Sequence, residues 1–300
     1  MDATTDGSGL GRVVVGADGS PSARTAAMWG AQEAVLRGGG LFLVHATDID
    51  AMSRFLSRAE IDQSRQAGRE LLDRTADEVT ARYPGLNIVK ELGDGPPAGS
   101  LRRAAALTGT IVVGHRGIGG FSSLLLGSVG LEVAASATTP AVVVRGAAEP
   151  AEAGAVLAAI RDIDDLGCAR AAAHEATLRK VTLRLLNIWS TAPYAGVRAA
   201  LRNGTERNAR EHVHALSGVA ERLREEFPEL TLDADGEKSR SVPGALVDAS
   251  RHADLLVAGG RRSPGYLGPT LGRTTLGLLQ HAHCPVELIP RYGPGHGSTA

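Results

Sequence analysis

Cysteine is nearly absent from this chain, with only Cys168 and Cys284 among 300 residues. Neither has a second cysteine or a histidine pair at ligand spacing, which excludes a disulfide framework and argues against a zinc site. The nearest thing to a metal cluster is His281-Ala282-His283-Cys284, but histidines two positions apart do not share a helix face, so no metal-ligating residues are expected. Long apolar runs are also missing: nothing approaches the roughly eighteen residues of a membrane span. Met1 to Gly11 reads as a short polar tail rather than a leader, and the expectation is a cytoplasmic protein without membrane attachment. There is no charge surplus either, since 33 acidic side chains face 32 basic ones for a formal charge of −1. That balance offers no electrostatic footprint for nucleic acid or a membrane surface. The parts of a hydrolase are absent too: no Gly-x-Ser-x-Gly elbow, no lysine after a phosphate-binding glycine loop, no cysteine with a histidine partner.

What is present is glycine, 38 of them, and a composition that is 43% hydrophobic. The length suits two domains of about 150 residues, each able to bury a core. Val13 to Val15 is an apolar strand. Ser20-Pro21 supplies a cap and a first-turn proline for a helix ending at Gly38-Gly39-Gly40. A strand over Leu41 to Ala46 follows, then helical spacing near 58 to 83, a strand over Leu86 to Glu91, and a helix marked by Leu101, Ala105 and Ala106. Thr110 to Val113 and Ala141 to Arg145 are further strands with a helix near 127 to 137 between them. Alternating strands and helices predict an α/β, doubly wound parallel sheet covered on both faces, Rossmann-like, with five strands.

The second half repeats this order. Glu33-Ala34 recurs as Glu175-Ala176, Tyr83-Pro84 as Phe227-Pro228, and Leu101, Gly114, Gly127 and Pro140 as Leu246, Gly259, Gly272 and Pro285. A repeat this long is a duplicated domain, because each copy holds enough strands to close its own core. The small, polar stretch from Gly146 to Glu152 marks the boundary and predicts domains over residues 1–147 and 148–300. Both modules end in an apolar edge strand, so a pseudo-dimer pairing Ala141 to Arg145 with Pro285 to Ile289 is expected, as is a possible homodimer.

One constellation carries chemistry. In the first half the fourth strand runs into Gly114-His115-Arg116-Gly117, and Gly127-Ser128 follows at the start of a helix, giving Gly-x-x-Gly-x9-Gly-Ser. Glycines allow close backbone approach to an anion and positive φ, while free N–H groups at a helix start face negative charge. Upstream, Gly16-Ala17-Asp18-Gly19-Ser20 places a carboxylate at the end of the first strand, the edge where open parallel sheets bind ligands. Singly, Asp18 is equally a turn cap and Ser128 a helix cap. Together they indicate a nucleotide site.

These segments, with the Pro140-Ala141-Val142-Val143-Val144 ending, resemble the universal stress protein family, and two such modules in tandem cover the chain. The resemblance implies ATP binding with Mg2+. It gives Asp18 a hydrogen bond to the adenine or its neighbourhood, Val44 a backbone contact with the base, and Gly114, Gly117, Gly127, Ser128 and Val129 the ribose and phosphates. Ala17 and His115 complete the candidate set, although an exposed loop side chain without phosphate contact is the plainer reading of His115 and Arg116. The expected function is a nucleotide-responsive stress regulator that acts through a conformational or interface change on an unknown protein partner. The alternatives are a nucleotide-independent dimerisation scaffold and a slow ATPase.

The second half departs from the pattern. Gly117 becomes Arg262, Ser128 becomes Arg273, and the Gly-x-Asp-Gly-Ser segment is lost, with Asp162 in the place of Asp18. If Gly117 is left-handed, arginine there would cost about 1–2 kcal/mol. Arg251, Arg261, Arg262 and Arg273 then read as a solvated basic face in a degenerate module.

Overall fold

The computed structural model describes residues 11–49, 55–105, 109–117, 126–136, 138–145, 152–190, 201–260 and 271–290, the first nine of α6 below by backbone alone. The chain divides into two compact units, Met1–Ala148 and Glu149–Ala300.

In the first unit β1 (Val13–Gly16), α1 (Pro21–Leu36), β2 (Leu41–Ala46), α2 (Arg58–Arg82), β3 (Ile88–Gly93), α3 (Pro97–Ala105), β4 (Thr110–Gly114), α4 (Ser128–Ser136) and β5 (Ala141–Val144) follow one another. The strands are parallel in the order β3-β2-β1-β4-β5. The second unit runs β6 (Ala155–Ala159), α5 (Leu166–Arg179), β7 (Thr182–Ser190), α6 (Leu201–Glu226), β8 (Leu232–Ser239), α7 (Val242–Ala249), β9 (Leu255–Gly260), α8 (Arg273–His281) and β10 (Val286–Pro290). Its strands are again parallel, in the order β10-β9-β6-β7-β8. This is the expected α/β, doubly wound architecture, once in each unit. The central strands are continuous apolar runs because helices cover both faces: Val13, Val14, Val15, Ile111 and Val112 are sealed in one core, Val156, Leu157, Leu255 and Leu256 in the other.

Each first helix carries a Glu–Arg pair one turn apart near its end. In α1 the buried Glu33 accepts from Arg37 at 2.7 Å, and Arg37 also donates to Thr110 at 2.7 Å, joining the helix to the start of β4. In α5 Glu175 and Arg179 form the corresponding i,i+4 pair. Removing one partner of such a buried pair strands the other charge, at about 3–5 kcal/mol. The Glu-Ala repeat read from the sequence is therefore the trace of a buried ion pair.

Strand β3 begins two residues later than its pattern suggests, because Leu86 closes the turn after α2, its N–H donating to the Tyr83 carbonyl at 3.1 Å. Helix α1 ends in a glycine turn: Gly38, at φ 66°, and Gly39 donate back to the carbonyls of Val35 and Ala34. Helix α5 ends in the same motif with Lys180 at φ 56°, donating to Thr177 while Val181 donates to Ala176.

A left-handed lysine costs about 1–2 kcal/mol, partly offset against glycine by the latter's larger entropy loss. Lys180→Gly is thus expected to stabilise the second unit by about 0.5–1 kcal/mol, a rise of about 1–4 °C in Tm by calorimetry. An unchanged or lower Tm would show that the αL strain is not where the turn stores it.

Candidate functional site

The chain runs outward from β1 through β2 to β3 and then crosses back to β4, so winding reverses between β1 and β4. At that reversal the C-terminal strand ends diverge and leave a crevice. Here a cavity of about 480 Å³ is lined by the ends of β1, β2 and β4 and the start of α4. Its size lies within the ~300–1,000 Å³ typical of ligand sites. Val44, Ala46, Leu101, Val113 and Leu126 form an apolar wall, while Asp18, Arg116, Gly117, Gly127 and Ser128 form a polar end.

The polar end is built by close packing. A Cβ on Gly114 would lie 2.6 Å from the backbone carbonyl of Ser22, so only glycine lets the last residue of β4 pass the first turn of α1. Ser20 caps α1 by accepting from Ala23 N at 3.1 Å and donates to the Arg116 carbonyl at 3.2 Å. Ser22 accepts from Arg116 N at 3.2 Å and meets Nδ1 of His115 at 3.0 Å. On the other side Gly127 N donates to the His115 carbonyl at 2.8 Å. Residues 115 to 117 are thereby held between the N-termini of α1 and α4.

Helix α4 opens with Gly127 in the capping position, its carbonyl accepting from Leu131 N at 2.9 Å. Ser128 is the first helical residue rather than the cap, and no acidic residue lies in that first turn. The first-turn N–H groups have no intrahelical acceptors, and with the positive end of the helix dipole they border the cavity.

Of the predicted residues, Ala17, Asp18, Val44, Gly114, Gly117, Gly127, Ser128 and Val129 line this one cavity. His115 does not: its ring turns to Ser22. Burial, then the neighbouring Arg145 and Arg116, hold its imidazole below the ordinary value. Arg145 is itself held down by burial and by Arg116, so basic side chains crowd the loop. Asp18 accepts from Ser20 N at 2.9 Å, the turn-cap reading, and also faces the cavity. The Val44 carbonyl accepts from Ala17 N at 2.9 Å, which joins β2 to the exit of β1.

Gly117 corrects an expectation. Among the described residues the positive-φ glycines are Gly11, Gly19, Gly38 and Gly154, so Gly117 is not left-handed. A Cβ there would fall 2.5 Å from Oδ2 of Asp18, the movable end of a side chain, so a larger residue would displace the carboxylate rather than clash with backbone. Not singled out in the sequence were His45, which lines the cavity with Nδ1 2.7 Å from the Ala17 carbonyl, and Ser22; Ser20 was read there only as a helix cap. The Ser-x-Ser spacing around Pro21 was the available signal.

In the second unit a smaller cavity, about 340 Å³, occupies the same reversal between β6 and β9. The registers Val13↔Thr110 and Val156↔Leu255 make Arg161 the counterpart of Asp18, while Asp162 keeps only the turn, accepting from Asp164 N at 3.1 Å. Arg251 does not join a basic face there, since it precedes β9 at the opposite end of the strand from Gly259; Arg261 and Arg262 lie outside the described residues. Both cysteines are buried and burial pushes their thiols up, that of Cys284 to about 12, which makes them inert. Among the described residues no cluster of three metal-ligating side chains occurs, and no helix is long and apolar enough to cross a membrane.

The family model described as "Universal stress protein family" matches residues 9–145 and again 155–290. A universal stress protein of Mycobacterium tuberculosis is 31% identical over 251 residues, covering 80% of this chain and 88% of that one. One from Mycolicibacterium smegmatis is 36% identical over 133 residues, 44% of this chain and 45% of its own length. A crystal structure of a universal stress protein from Archaeoglobus fulgidus superimposes with a TM-score of 0.64 at 15% identity, covering 96% of this chain and all of that one, a likeness of fold. Matched in both halves by the same family model, the chain belongs to the universal stress protein family as a tandem of two of its domains.

Proposed function

We propose that the first unit binds ATP, with Mg2+ on its phosphates, and that its occupancy shifts a conformation or interface read by a protein partner in a cytoplasmic stress response. The observation that carries this reading is the cavity between β1 and β4, apolar along one wall and rich in N–H donors at the other end. Val44, Leu101 and Val113 would pack the base, and the carboxylate of Asp18 would accept from its amino group or from the ribose. Ser128 and Val129 would offer backbone N–H groups and a hydroxyl to the phosphates, with Gly117 and Arg116 beside them. The mutual repulsion of Arg116 and Arg145 is of the kind that a bound polyanion relieves. Mg2+ would be held chiefly by phosphate oxygens and water.

Titration calorimetry of the whole chain is expected to give one ATP per chain. Two equivalent sites would contradict the reading of Arg262 and Arg273 as disabling the second module for nucleotide. Gly117→Arg is expected to abolish binding without unfolding the unit, because a long side chain would enter the part of the cavity bordered by Asp18 and the start of α4. Saturating wild type at about a hundred times the dissociation constant adds about 2.7 kcal/mol, or roughly 5–10 °C of Tm. The variant should gain none of it, and a variant still stabilised by ATP would remove the loop from the site.

His115 yields a pH prediction. With its folded pKa depressed below 6.5, the unfolded chain takes up a proton first as the pH falls. Stability therefore declines below about pH 6.5 and levels off beneath the folded value. Between about pH 7.5 and about pH 5, His115→Gln should lose less Tm than wild type. Equal losses would mean that the imidazole is not held neutral by its surroundings.

A further inference from the structure

The second cavity is recast rather than filled in. By strand register Ala17 gives way to Ile160, Val44 to Leu186 and Ala46 to Ile188, and Thr275 stands where Gly130 does in the first unit. Three wall side chains become larger, although Val113 gives way to Ala258, and the volume falls from about 480 to about 340 Å³, near the lower limit for ligand sites. The charged groups at the polar end are rearranged. The first cavity sets Asp18 against Arg116; the second is bordered by Arg161 and Arg273, with Asp165 as its carboxylate. Asp165 is 2% exposed and accepts from Arg161 N at 2.9 Å, and Arg161 pairs with Asp162 at 2.6 Å.

Arg273 is different. It is the first residue of α8, after a Gly272 that offers no side-chain cap, with no acidic residue in that turn. Among the described residues it makes no hydrogen bond or ion pair. A cation at the positive end of a helix dipole is unfavourable, and so are first-turn N–H groups without acceptors. An anionic group seated at the mouth of the cavity would relieve both, with its apolar remainder against Ile160, Ile188 and Leu278.

We propose that the second cavity is a binding site for a small amphipathic anion, a compact aliphatic body bearing one carboxylate or phosphate head, and not for a nucleotide. The inference stands apart from the ATP reading, because it uses only residues of the second unit. It is tested on the whole chain, saturated with ATP, by titration calorimetry with octanoate, octyl phosphate, octanol and inorganic phosphate. One of the two anionic amphipaths should bind once per chain, the tighter identifying the head group, and octanol and inorganic phosphate should bind at least about ten-fold more weakly. Arg273→Ser, at an exposed position and bearing the residue type of the first unit, should weaken binding about ten- to hundred-fold. Arg273→Lys should restore most of it, and ATP affinity should be unchanged in both variants. The proposal is overturned if neither amphipath binds, if octanol binds as well as they do, or if Arg273→Ser binds like wild type. Retained ATP binding in those cases leaves the nucleotide reading intact.

Discussion

The first unit's site depends on one close approach, that of the last residue of β4 to the first turn of α1. Gly114 permits it, and Ser20 and Ser22 lock it by hydrogen bonds to both backbone groups of Arg116. Because α1 is itself fastened at its far end through Glu33, Arg37 and Thr110, the helix is tied to β4 at both ends. The crevice between β1 and β4 then has a fixed width. With that width set, the N-terminus of α4 and Asp18 border the same cavity, and preorganised donors of this kind bind an anion without reorganising first.

The two units show how a duplicated frame diverges at its sheet edge. The parts that make the frame persist: the strand order, the helix-borne Glu–Arg pair, and the return of the chain from the first strand to the second, seen as Ala17 N to Val44 O and Ile160 N to Leu186 O. Of the parts that face the cavity, Leu246, Gly259 and Gly272 keep their residue types, while Ala17, Asp18 and Ser128 give way to Ile160, Arg161 and Arg273. Loops and strand ends contribute little to the core, so charges could be rearranged and volume reduced there while the strands stayed sealed.

Much of the fold was legible because parallel strands buried on both faces are written as unbroken apolar runs, and Ser20-Pro21 marks a helix start without help from tertiary structure. Eight of the nine candidate residues border one cavity for the same reason: they sit at strand ends and a helix start, which the topology brings together. What was not legible depended on contacts distant in sequence. Leu86 looks like a strand residue until Tyr83 claims its N–H. Gly117 looks like a φ requirement, yet its φ is not positive, which depends on how the loop is held between α1 and α4. His115 lies inside the motif yet turns away to Ser22, and Arg251 is near Gly259 in sequence but at the other end of β9.

The central claim is that the cavity between β1 and β4 holds an adenine nucleotide with its phosphates at the start of α4. Mass spectrometry of the small molecules released on denaturing the freshly purified protein tests it most directly. The account predicts ATP, up to one equivalent per chain, and its loss from protein carrying Gly117→Arg. Protein that releases no nucleotide and takes none up on incubation with ATP, or that carries ATP equally with that substitution, would contradict it.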